Sequence, residues 1–92
     1  MTQLTQFVYP AVFVKGEEVV VASFPDIGIT TDGFSFEEAF LLAKDYLRVY
    51  CTYVCKYELD TPKPSFYEDV ASKNMLSSVM LIDTVIFPTD IK

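Results

Sequence analysis

Histidine is absent from this 92-residue chain, and cysteine occurs only twice. Without an imidazole the commonest general base is missing, the serines and threonines have no histidine to activate them, and a zinc site lacks ligands. Cys51 and Cys55 stand four apart, which makes them neighbours on a helix but seldom allows a strain-free bridge, so they read as buried or half-buried free thiols. Basic residues are few: seven Lys and Arg face thirteen Asp and Glu, for a net charge of −6. Phosphate contacts are made largely by Lys and Arg, so nucleic acid is disfavoured as a direct partner and a basic protein is favoured. Spread along the whole chain, the acids suit a solvated surface as well as a docking face. Long apolar runs are missing too. Val79 to Phe87 is too short to cross a bilayer and carries Asp83, and no basic start with an apolar core behind it opens the sequence. No membrane segment or signal is expected, and the expected location is cytoplasmic.

What the chain has in quantity is apolar and aromatic side chains. Hydrophobic residues make up 51% of it, with eight Phe and six Tyr, enough for one small domain over residues 1–92 with a dense core. Residues 6 to 14 are rich in aromatic and β-branched types. A turn at Lys15-Gly16-Glu17 leads to a second such run, Glu18 to Phe24, and the two read as a hairpin. Ile27 to Thr31 makes a short third strand of edge length. Pro10 inside the first run lacks an amide and should sit where pairing on one side is absent or interrupted. From Phe36 the period changes from two to about 3.6. Phe36, Ala39, Phe40, Ala43, Leu47, Tyr50 and Val54 share one face of a helix expected over Phe36 to Lys56, stopped by Asp60-Thr61-Pro62. Leu42, Val49 and Tyr53 form an apolar flank beside that stripe, which either meets another chain or lies under the following loop. Residues 65 to 74 read as a loop or one irregular helical turn, and Ser78 to Phe87 as the last strand.

Three runs carry local structure in their chemistry. Tyr9-Pro10-Ala11-Val12 is extended, Phe24-Pro25-Asp26-Ile27-Gly28 reverses the chain, and Gly33 with Ser35-Phe36-Glu37-Glu38-Ala39 opens a capped helix. Pro25 fixes its own φ, Asp26 reads first as a turn former, and Gly28 and Gly33 permit positive φ. Ser35 and Glu38 have the spacing of a capping box. In this order, with Thr30 or Thr31, Ala43 and the later Glu58-Leu59-Asp60-Thr61-Pro62-Lys63-Pro64-Ser65, these runs resemble the HicB antitoxin family over roughly residues 7 to 87. Two departures from the family pattern are the shortened turn at Gly28-Ile29 and the lack of a DNA-binding module after the last strand.

The resemblance implies a degraded, partial ribonuclease H-like fold, and the pattern itself gives an α+β domain. Three antiparallel strands precede one long helix on one face of the sheet, and a fourth strand lies parallel to the first, in sheet order 3-2-1-4. Phe40, Ala43, Leu47, Tyr50, Val12, Val20 and Ile82 are its expected core. An enzyme is not expected. The first strand carries no acid and the fourth offers only Asp83, so the carboxylate cluster of a two-metal nuclease cannot be assembled; no cofactor or metal is expected either. As the resemblance implies, the function is that of an antitoxin which binds and occludes a HicA-like, basic, mRNA-cleaving toxin. The alternative is a stand-alone HicB-like domain that self-associates or binds a small ligand. Toxin-contact candidates are the acids of the turns, Glu17, Glu18, Asp26 and Asp32. Self-association into a homo-oligomer is expected through Leu42, Val49 and Tyr53.

Overall fold

The computed structural model describes residues 4–91. Three strands come first: β1 (Thr5–Lys15), β2 (Val20–Phe24) and β3 (Ile29–Gly33). Helix α1 (Phe36–Lys56), a short helix α2 (Tyr67–Lys73), strand β4 (Ser78–Ile86) and a 3₁₀ turn at Pro88–Ile91 follow. The sheet order is β3-β2-β1-β4, as the sequence pattern predicts. Alternation sets the two faces of the sheet. Tyr9, Ala11 and Phe13 on β1, Val20, Ala22 and Phe24 on β2, and Ile82 and Ile86 on β4 are buried under α1. Val12 and Val79 point the other way and pack with Val70 of α2. Val12 therefore belongs to the second, smaller core rather than to the one beneath the long helix. Ala43, Leu47, Val20 and Ile82 are buried as expected, whereas Phe40 and Tyr50 are half-buried at the margin of that core. Cys51, fully buried on α1, joins it.

One element of the expected topology is reversed. β4 pairs antiparallel with β1, from Phe13↔Ser78 to Thr5↔Ile86, so it is not the parallel strand that a helix crossover suggests. Helix α1 begins where β3 ends, with Ala39 against Gly33, and reaches Ile29 at the other end of β3 with Tyr50. A strand starting there would run parallel to β1. Residues 57–77 instead carry the chain around to the opposite face of the sheet, where α2 packs, and deliver it back to the end at which α1 began. The stretch read as a loop or irregular turn is thus a second helix covering part of the second face.

Local chemistry accounts for the joints. Ser35 is extended (φ −141°, ψ 166°), and its Oγ accepts from the Glu38 N–H at 3.1 Å. Glu38 Oε1 accepts from the Phe34 N–H at 2.7 Å, one residue before the partner that a capping box usually takes. Gly28 has φ 71° and donates to the Phe24 carbonyl at 2.9 Å, closing the β2–β3 turn. Gly33 does not adopt positive φ. It is required by contact, since a Cβ there would lie 2.6 Å from the Ala39 nitrogen. Helix α1 also stops before Pro62. Glu58, at φ 52°, takes the left-handed position, and the Leu59 and Glu58 N–H groups donate to the Val54 and Cys55 carbonyls at 2.9 and 3.3 Å. This is a Schellman motif with Glu where Gly is usual, which a scan for Gly and Pro misses. Pro10 is tolerated because the β1–β2 ladder reaches only to Val12↔Ser23, leaving Pro10 a strand partner, Leu81, on one side alone.

Candidate interaction surface

The segment that crosses between the faces is held at two points. The Tyr9 hydroxyl donates to the Pro62 carbonyl at 2.6 Å. Asp26 then takes Ser65 twice, its Oδ2 accepting the backbone N–H at 2.8 Å and its Oδ1 the side-chain hydroxyl at 2.6 Å. Thus the two Pro-containing runs that stand 39 residues apart in sequence meet through one carboxylate and one serine. The turn-forming role assigned to Asp26 gives way to a latch, because the Phe24 carbonyl already closes the turn through backbone N–H groups. Removing a charged acceptor costs about 1.5 to 3 kcal/mol when the bond is buried, and less here, since Ser65 is exposed and water replaces the lost partner. Asp26→Ala should therefore lower stability by about 1 kcal/mol, speeding the most protected amides of α1 about fivefold and the Ser65 amide, which also loses its own acceptor, about tenfold or more, read by hydrogen exchange and NMR.

Of the four acids singled out as contact candidates, the structure groups three. Glu17 and Glu18 lie in the β1–β2 turn, and Asp32 on β3 faces Val21 one register step from the strand ends. All three are exposed, at the end of the sheet where α1 starts, and Lys15 is the base beside them. Among the described residues the ion pairs are Lys44 with Asp83 and Arg48 with Asp90, so none of the three acids is neutralised by a salt bridge. Asp26 lies at the opposite end of the β2–β3 hairpin and is occupied by Ser65.

The apolar flank of α1 divides in the same way. Val49 and Tyr53 are exposed, while Leu42 is half-buried. Sequence reasoning missed Tyr46 and Tyr57, which extend the ridge at spacings of three and four residues from Val49 and Tyr53; the 3.6 period that located the buried stripe was the signal for them. Tyr53 and Tyr57 have ring centroids 4.7 Å apart. Between this ridge and β3 lies an open groove of about 440 Å³, lined by Gly28, Ile29, Thr30, Tyr46, Val49 and Tyr50. Tyr50 has its hydroxyl pKa raised by burial and by the neighbouring Tyr9 phenol. Both cysteines are free thiols, Cys51 buried and Cys55 half-buried. Burial pushes the Cys51 thiol up to about 12, which leaves it protonated and unreactive at neutral pH. No group of three or more Cys, Asp or Glu side chains among the described residues is placed to hold a metal ion, and none of their helices is long and apolar enough to cross a membrane.

This fold has known counterparts. A toxin–antitoxin complex from Streptococcus pneumoniae contains a chain that superposes with a TM-score of 0.72 at 18% identity, over 86% of this chain and 69% of that one. The Burkholderia pseudomallei antitoxin HicB superposes with a TM-score of 0.72 at 16% identity, over 83% of this chain and 61% of its own length. This chain therefore spans less than two thirds of that antitoxin. No protein-family model matches the sequence, and no curated protein is similar to it. The likeness is one of fold: this chain shares the fold of the HicB antitoxin, which the order of its short sequence runs had suggested.

Proposed function

We propose that this chain is a non-enzymatic antitoxin of a type II toxin–antitoxin pair, which binds a small, basic, HicA-like, mRNA-cleaving toxin and covers its catalytic surface. The observation that carries the reading is the fold shared with the antitoxin HicB and with a chain of a toxin–antitoxin complex, at equal TM-scores of 0.72. Charge supports it. At a net −6 the chain attracts a basic protein, and Glu17, Glu18 and Asp32 offer three unneutralised carboxylates on one end of the sheet. Phe34, exposed two residues beyond Asp32, is apolar surface that can then hold what charge has steered. Co-expression with a short basic protein encoded beside this one tests the role. The toxin alone should arrest growth and cleave mRNA, and this chain should restore growth and co-purify with it. Growth arrest that persists with both chains soluble and abundant would overturn the proposal.

A further inference from the structure

The geometry points to β4 as a strand that pairs with β4 of a second copy, joining two sheets antiparallel across a two-fold axis at Ile82. β4 is the outer strand on its side of the sheet and runs nine residues, whereas β3 at the other edge has five. Which of its backbone groups face outward follows from two independent observations. Strand residues alternate in the edge to which they direct N–H and C=O. Pro10 has no N–H to give its partner Leu81, which marks that pair as one that exchanges no hydrogen bonds. Two residues on, Lys44 Nζ reaches the Asp83 carbonyl from outside the sheet at 3.1 Å. Both place the N–H and C=O of Val79, Leu81, Asp83 and Val85 on the open edge. A two-fold at Ile82 sets Leu81 against Asp83 of the second copy and Val79 against its Val85, so every outward N–H meets an outward carbonyl. Lys44 would then keep the Asp83 carboxylate, 3.4 Å away, while the carbonyl passes to the second copy.

Charge selects a second copy over a basic protein as the occupant. A face that meets its own image cannot carry one sign of charge, because like groups are brought together by the symmetry. Along this edge Lys44 and Arg48 offset Asp83 and Asp90, at 3.4 and 3.1 Å, and these are the ion pairs among the described residues. The rest of the chain is far more acidic, and the unneutralised acids Glu17, Glu18 and Asp32 lie on the β1–β2 turn and on β3, away from β4. Shape agrees with charge. On the α1 side an apolar pocket of about 360 Å³, lined by Phe36, Glu37, Phe40, Leu41 and Met80, borders β4, and on the other face Leu81 is 53% exposed. Edge strands of this length are ordinarily covered, charged or used, and a single lysine guards one carbonyl of the four.

Sedimentation of the full chain tests this, together with amide exchange at two concentrations. The wild type should have twice the monomer mass at about 100 µM, and exchange of the Leu81 and Val85 amides should slow at least tenfold between about 1 and 100 µM. Leu81→Pro removes an outward N–H that β1 does not use, and Leu81→Lys places a charge on the exposed side of the strand. Each should give a monomer. If the proline variant fails to fold, the lysine variant, at an exposed position, reads the same quantity. Val49→Ala with Tyr53→Ala on the α1 ridge should leave the dimer intact. A wild type that is monomeric at about 100 µM would overturn the inference, as would a dimer that survives Leu81→Lys or dissociates only when the α1 ridge is altered.

Discussion

Ala43→Asp should abolish folding. Ala43 is fully buried in the middle of α1, within the cluster that holds Leu47, Cys51 and the inward side chains of β1, β2 and β4. A carboxylate at this point has no base within the core to pair with: on the same helix Lys44 and Arg48 are engaged with Asp83 and Asp90 at the solvent edge, and Lys56 lies exposed in the last turn, thirteen residues away. The penalty for an unpaired buried charge, whether met as desolvation or as a forced protonation, is several kcal/mol, and steric overpacking of a close helix–sheet contact adds about 1 to 3 kcal/mol more. A domain of this size has roughly 5 to 10 kcal/mol in total, so little native protein should remain at 25 °C. Circular dichroism and a thermal melt check it. Retention of a cooperative transition within a degree or two of wild type would show that α1 does not pack on the sheet through this face. Asp45→Ala, at an exposed position on the same helix, provides the comparison and should melt like the wild type.

The core contact was legible because α1 writes its period plainly. Ala39, Ala43, Leu47 and Val54 recur at helical spacing, and small residues at the first two positions announce a close approach to the sheet. Strand order followed from two short turns and one open edge. The direction of β4 could not be read in the same way. It depends on where a connection of twenty-one residues delivers the chain, and that connection is fixed by contacts between residues far apart in sequence: Tyr9 to Pro62, Asp26 to Ser65, and Val70 to Val12 and Val79. No local propensity encodes such contacts, and α2 itself, seven residues with no side-chain N-cap, falls below what periodicity resolves. Asp26 shows the same limit at the level of one side chain. Its place after Pro25 suggests a turn former, and only the fold reveals that the turn is closed by backbone N–H groups while the carboxylate holds a distant serine. Likewise, the turn acids were visible as candidates, yet which of them stand together depends on strand pairing.

That grouping sets the second large effect. Glu17→Lys, Glu18→Lys and Asp32→Lys combined should slow association with a basic toxin by about ten- to a hundredfold at low salt, because charged surfaces steer encounter and the three reversals exchange attraction for repulsion at one end of the sheet. Net charge would pass from −6 to zero, since each reversal adds two units. The fold should survive, as the three side chains are exposed and make no ion pair or side-chain hydrogen bond among the described residues. Dissociation should change less, since rim charges act mainly on the rate of encounter while apolar contacts govern the lifetime of the complex. Raising ionic strength from about 20 mM to about 200 mM shortens the screening length several-fold, so wild-type association should slow steeply while the triple variant changes little. Stopped-flow association at those two salt concentrations distinguishes the outcomes. Equal rates for variant and wild type at low salt would move the contact away from this end of the sheet, even if the two proteins form a complex. Asp26→Lys, at the far end of the β2–β3 hairpin, should alter the association rate much less than Asp32→Lys alone, which changes the charge by the same two units, and this separates a local docking surface from the effect of total charge.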